Sequence, residues 1–135
     1  MKLYLTFACL FCASLCFAQK QDVYFLKNNG TIVSVRDSAD FIRIVSEPDS
    51  GSTLYNVTEY YANGVKKLTG RSKSVDQLEF EGVKRTFFKN GKKESIINYK
   101  NGSKFGDEFD FFPNGKIYLQ KLYATNAKPD NKLIK

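Results

Sequence analysis

The chain has no histidine and no tryptophan, three prolines, one methionine at its start, and three cysteines, Cys9, Cys12 and Cys16, all near the N-terminus of its 135 residues. Without imidazole it has no side chain that titrates near neutral pH as a general base, no histidine-based triad and no histidine ligand for zinc. Beyond Cys16 it also has no thiol nucleophile, no disulfide and no thiolate metal site. Most familiar routes to catalysis are therefore closed, and neither a cofactor nor a metal is implied. Helical periodicity is scarce too: past the N-terminal segment, no stretch longer than a turn repeats its apolar residues at helical spacing. Together these absences predict an all-β chain that is not an enzyme.

The first residues read as an address rather than as structure. Lys2 supplies a positive start, Leu3 to Leu15 is uncharged, and Cys16-Phe17-Ala18 places small residues where a signal peptidase reads them. Residues 1–18 are expected to be a secretory signal peptide cleaved between Ala18 and Gln19. The uncharged stretch is shorter than the roughly 20 residues a spanning helix needs, so no transmembrane span is expected after cleavage. Leu15 is too large for the residue before a lipidated cysteine, which argues against an anchor on Cys16. The expected location is outside the cytoplasm: periplasmic, envelope-associated or extracellular. The remaining 117 residues suit one domain.

What the chain has in quantity is Asn-Gly, five times over: at Asn29-Gly30, Asn63-Gly64, Asn90-Gly91, Asn101-Gly102 and Asn114-Gly115. Between apolar runs this pair is the strongest short-range hairpin signal, because a type I′ turn needs positive φ at both central residues. Three of the pairs follow a double aromatic: Tyr60-Tyr61-Ala62-Asn63-Gly64, Phe87-Phe88-Lys89-Asn90-Gly91 and Phe111-Phe112-Pro113-Asn114-Gly115. Their glycines lie 27 and 24 residues apart, a period typical of modular repeats. Gly82 and Gly106 each stand six residues before the second aromatic of the next pair. The expected fold is an antiparallel β-meander of repeated hairpins, forming a single twisted sheet or a partly rolled one.

Residues 19–53 are expected to form an N-terminal hairpin and capping segment, with strands at Asp22 to Lys27, Thr31 to Val35 and Phe41 to Val45 and one helical turn at Asp37 to Asp40. Residues 54–123 hold the repeats. Residues 124–135 are polar and contain Pro129, and are expected to be a flexible tail.

The run from Phe87-Phe88-Lys89-Asn90-Gly91-Lys92 through Tyr99-Lys100-Asn101-Gly102 and Gly106 to Phe111-Phe112-Pro113-Asn114-Gly115-Lys116 resembles the bacterial variant of the MORN repeat, an antitoxin-like family. The resemblance covers roughly residues 60–122. Upstream, Tyr24-Phe25-Leu26-Lys27-Asn28-Asn29-Gly30 resembles a degenerate copy, with Leu26 in place of the second aromatic. The resemblance implies a β-meander used for binding or scaffolding, with no active site to carry over. It also implies two other roles: a toxin-neutralising or immunity protein, or the N-terminal module of a longer envelope protein that energises transport.

The net charge is +7, and from Val65 to Lys104 eleven basic residues stand against four acidic ones. In an exported protein such a field favours a protein with an acidic surface or an anionic envelope component, a lipid headgroup or a polysaccharide, and not nucleic acid. Adjacent strand residues point to opposite faces, so each aromatic pair puts one ring on each side of the sheet. The candidate partner-binding surface is thus Tyr60, Tyr61, Phe87, Phe88, Phe111 and Phe112, with Lys89, Lys92 and Lys116 at the turn tips. One face is expected to be covered by the segment Tyr24 to Val45. Asp107, Glu108 and Asp110 cluster before the last pair, but alternation along a strand divides them and they lack the ligand spacing of a calcium loop. Asp37-Ser38-Ala39 resembles a short O-glycosylation motif of exported bacterial proteins.

Overall fold

The computed structural model describes residues 19–123 and a further strand at 130–133. Residues 1–18, expected to be a signal peptide, and residues 124–129 and 134–135 lie outside the described residues. Ten strands form one open antiparallel sheet: β1 (Gln21–Leu26), β2 (Ile32–Val33), β3 (Phe41–Ser46), β4 (Tyr55–Tyr61), β5 (Lys66–Ser72), β6 (Gly82–Phe87), β7 (Lys93–Lys100), β8 (Ser103–Phe111), β9 (Ile117–Tyr123) and β10 (Asp130–Leu133). From β3 to β10 each strand pairs with its neighbour in sequence, while β1 lies between β3 and β2. The only helical element among the described residues is a 3₁₀ turn at Arg36–Ser38, where one helical turn was expected. The all-β meander is as expected, but the chain end is not wholly a tail: β10 pairs with β9 from Asp130↔Leu122 to Leu133↔Leu119.

The Asn-Gly pairs are all turns, of two kinds. Only at Asn101-Gly102 are both φ values positive, 52° and 75°, as a two-residue type I′ loop requires. The other four share a three-residue loop. Around Asn90-Gly91, the Gly91 N–H donates to the Phe88 carbonyl at 2.8 Å, the Phe88 N–H donates to the Lys92 carbonyl at 2.8 Å, and Asn90 Oδ1 accepts from the Lys92 N–H at 3.0 Å. The same three bonds recur around Asn29-Gly30, Asn63-Gly64 and Asn114-Gly115. This is a type I turn followed by a glycine in the left-handed region, which creates a one-residue bulge. Here Asn serves as a side-chain acceptor, and only Gly has to adopt positive φ. The turn at Asn29-Gly30 also sets the register of the degenerate copy: Leu26 holds the position of the first aromatic and Lys27 that of the second.

The hairpins keep one register. Gly82 pairs with Tyr99 and Gly106 with Tyr123, while Tyr55 pairs with Ser72 at the corresponding place in β4–β5. One face, the inner one, holds every buried side chain of β3 to β8, including Phe41, Val45, Val57, Glu59, Leu68, Ser95, Ile97 and Glu108. The N-terminal segment does not cover this face as expected, because β1 and β3 are strands of the same sheet, paired along six residues. The cover comes from the β5–β6 connection instead, whose Val75, Leu78 and Phe80 pack on the core of Val45, Val57 and Leu68. A strand that long-range pairing has already used cannot also lie across the sheet it belongs to.

The C-terminal half of the inner face is polar. Lys104 Nζ reaches both carboxylate oxygens of Glu108 at 3.0 Å, and Glu108 is only 4% exposed. Burial pushes the Glu108 carboxyl up, but the Tyr123 hydroxyl and the Lys104 ammonium bonded to it, with the Lys104 and Lys121 charges, outweigh this and hold it below the usual carboxylate range. Asp110, next on the same face, goes the other way, raised by burial and then by the negative charge of Glu108. The signs oppose. Glu108 adds stability that is present at neutral pH and lost as pH falls through its folded-state value, whereas Asp110 adds stability only when protonated, lost as pH rises. Asp110→Asn is therefore expected to raise stability at pH 7, with the gain fading in acid, while Glu108→Gln lowers it at pH 7 with a cost that also fades. Urea midpoints measured from about pH 3 to 7 check this, and an Asp110→Asn midpoint at or below the parent's at pH 7 would count against it.

Candidate binding surface

The four three-residue turns all lie at one end of the sheet. β1 and β4 both run toward it, since Leu26 pairs with Phe41 and Phe41 with Tyr61, and β6 and β8 run parallel to them two and four strands away. Neighbouring turns in β4 to β9 are thus separated by two strand spacings, about 10 Å. They also touch. The Tyr61 hydroxyl donates to the Phe87 carbonyl at 2.7 Å, and Asn90 Nδ2 donates to the Pro113 carbonyl at 3.3 Å. The row is a laterally bonded rim rather than a set of independent loops.

The structure divides the expected site residues by role. Tyr60, Phe87 and Phe111, the first ring of each pair, lie on the outer face opposite Lys66, Lys93 and Ile117. Of the second rings, Tyr61 ties one turn to the next. Tyr61 is the strut just described, and its hydroxyl is pushed up by burial and then by the charges of Glu94 and Glu59, which keeps the proton it donates. Phe112, 48% exposed, leans on Tyr118 with ring centroids 4.8 Å apart, and Phe88 supplies the backbone bonds that close its turn. Lys89, Lys92 and Lys116 are exposed at the turns as expected, with Lys89 Nζ reaching back to 5.9 Å from the Tyr61 ring.

Two more rim cations escaped the sequence reading. Lys66 and Lys93 are exposed and pair with the outer aromatics; each stands two residues after a turn glycine, and that spacing could have found them. From β4 to β9 the rim carries five exposed lysines, Lys66, Lys89, Lys92, Lys93 and Lys116, against one exposed carboxylate, Glu94.

Away from the rim, the outer face has an apolar patch of Val23, Phe25, Ile42, Ile44 and Tyr60 around a depression of about 390 Å³. Beside it lies a larger, shallow, basic groove across β4 to β8. The acidic cluster is divided by the pleat: Glu108 and Asp110 pair with inner-face residues, whereas Asp107 pairs with the exposed Leu122.

A family model described as "MORN repeat variant" matches residues 80–101. That segment is the β6–β7 hairpin with the residues just before and after it. No curated protein and no solved structure matches the chain. The family match and the recurring hairpin register make the chain a module of repeated hairpins, and a repeat module of this kind suggests binding.

Proposed function

We propose that this chain is an exported, non-enzymatic repeat module that binds or scaffolds at the cell envelope, with the rim of turns as its contact surface. The observation that supports this reading best is the alignment of four near-identical turns on one end of the sheet, three of them presenting lysines in a laterally bonded row. A rigid row of cations about 10 Å apart meets an extended anionic surface without ordering flexible chains on contact, so little conformational entropy is lost. The partner is an anionic envelope component or a protein with an acidic surface. The N-terminal segment, read as a signal peptide, supports a partner outside the cytoplasm.

Each lysine near an anionic surface contributes about 1 kcal/mol. Lys89→Glu, Lys92→Glu and Lys116→Glu together are therefore expected to weaken association with envelope extract at low salt by roughly a hundredfold or more. Co-sedimentation reads the effect, and unchanged association would refute the rim as the contact surface. Thermal melting of the triple variant checks that the sheet is intact.

A further inference from the structure

The basic groove on the outer face has a structural origin separate from the rim. β5 and β6 pair at only two positions, Leu68↔Thr86 and Thr69↔Arg85, whereas β6 and β7 pair at six. Beyond Arg85 the register breaks: Gly82 takes φ 74°, the Glu81 N–H donates to the Arg71 carbonyl at 2.9 Å, and Ser72 bridges to Phe80. The sheet opens along this seam into a groove of about 730 Å³.

Three cations line it, Arg71, Arg85 and Lys100. Arg85 is exposed and has no ion pair among the described residues. Arg71 is held only by a 3.5 Å contact to Asp49 in which both side chains are more than half exposed. The one carboxylate in the lining, Glu81, is engaged elsewhere, by Lys73 at 3.4 Å and the Asn101 N–H at 2.7 Å. The floor between the cations is uncharged, with Thr58 directly opposite Thr69 and the exposed Val83 beside Arg85. At the far wall Phe105 is 39% exposed, with Lys100 Nζ 5.3 Å from its ring centroid.

We propose that this groove is a second binding site, and that it takes a carboxylate-bearing oligosaccharide in an extended form. Charge complementarity requires an anion, and the guanidinium forks of Arg71 and Arg85 match a carboxylate in two-point geometry. The threonine hydroxyls of the floor donate and accept alike, as sugar hydroxyls do. The electron-rich face of Phe105 suits the polarised C–H face of a pyranose ring. An acidic peptide pairs with the same two arginines but offers neither a row of hydroxyls to the threonine floor nor a C–H ring face to Phe105, and an oligoglutamate comparator separates the two.

The test uses the purified chain and a galacturonic acid oligomer in isothermal titration, with a neutral oligomer of equal length and an oligoglutamate of equal charge as comparators. The uronate oligomer is expected to bind at least about tenfold more tightly than either. Arg85→Gln and Arg85→Lys are each expected to weaken it about tenfold, because lysine keeps the charge but loses the fork; Phe105→Ala weakens it independently. The Lys89, Lys92 and Lys116 triple reversal leaves it within about twofold, which separates this site from the rim. The proposal is overturned by equal binding of the oligoglutamate or the neutral oligomer, by full retention in Arg85→Lys, by loss in the rim variant, or by no uronate binding to a chain that melts normally.

Discussion

Glu59→Ala is expected to destabilise the fold by about 3 kcal/mol, the low end of the cost of removing one partner from a buried ion pair. Glu59 is 2% exposed on the inner face of β4. Its Oε1 accepts from Arg43 Nε and Nη2 at 2.8 and 2.7 Å, and its Oε2 accepts from Lys67 Nζ at 2.9 Å. The two cations are 23% and 29% exposed, so water moderates the penalty of leaving them without a counterion. Lys67 also lies over the Phe41 ring, 4.1 Å from its centroid, and so the carboxylate joins β3, β4 and β5 into one cluster. For a domain of this size the loss corresponds to a fall in Tm of roughly 12 to 20 °C. Glu59→Gln keeps the volume and one acceptor and should cost less. Replacing Arg43 and Glu59 together by apolar residues should recover part of the loss, since the penalty lies in the unpaired charge. A Glu59→Ala variant within about 1 kcal/mol of the parent in urea denaturation would refute this account of the cluster.

The second large effect is at the lid. Phe80→Ala is expected to cost about 2 to 3 kcal/mol, less than a fully buried phenylalanine because the ring is half-exposed. The ring lies on Gly70: a Cβ there would stand 2.9 Å from Phe80 Cδ1 and Cε1. Lys84 Nζ sits 5.0 Å from the ring centroid, and the Tyr99 ring is 5.9 Å away. Removing the ring frees the β5–β6 connection from Val57 and Leu68, the middle of the core. Gly70→Ala alone should cost about 1 to 3 kcal/mol by forcing that ring aside. In the double variant the new methyl group occupies space the ring has vacated, so the combined loss should be smaller than the sum by about 1 kcal/mol. Strict additivity in a double-mutant cycle would mean that the two positions do not share this contact.

Different parts of the fold were legible to different degrees. Every Asn-Gly pair marked a hairpin, yet the type I′ geometry held only at Asn101. The reason is that strand pairing, and not the dipeptide, selects the loop. Across β4–β5 the three-residue loop closed by Gly64 sets Tyr60 opposite Lys66, and the ladder then skips Lys67 so that Glu59 faces Leu68. Lys89, Lys92 and Lys116 could be placed at turn tips because turn chemistry is local. Arg71 and Arg85 could not be singled out from the many basic residues, because their neighbourhood depends on the break in pairing between β5 and β6. The second aromatic rings looked like binding groups from spacing alone, whereas Tyr61 spends its hydroxyl on the backbone of the next turn.

Hairpin positions and strand character follow from the sequence because turn preference and alternation act within about five neighbouring residues, and the concentration of positive charge in the repeats follows from composition. Which face becomes the core, which loop covers it and where the sheet opens were decided only in three dimensions. Those outcomes depend on pairing between residues far apart in the chain. A shift of one residue in the β3–β4 ladder would turn Val57 and Glu59 outward and Thr58 and Tyr60 inward, and the packing of Val75, Leu78 and Phe80 on the core and of Arg43 and Lys67 on Glu59 distinguishes the two arrangements.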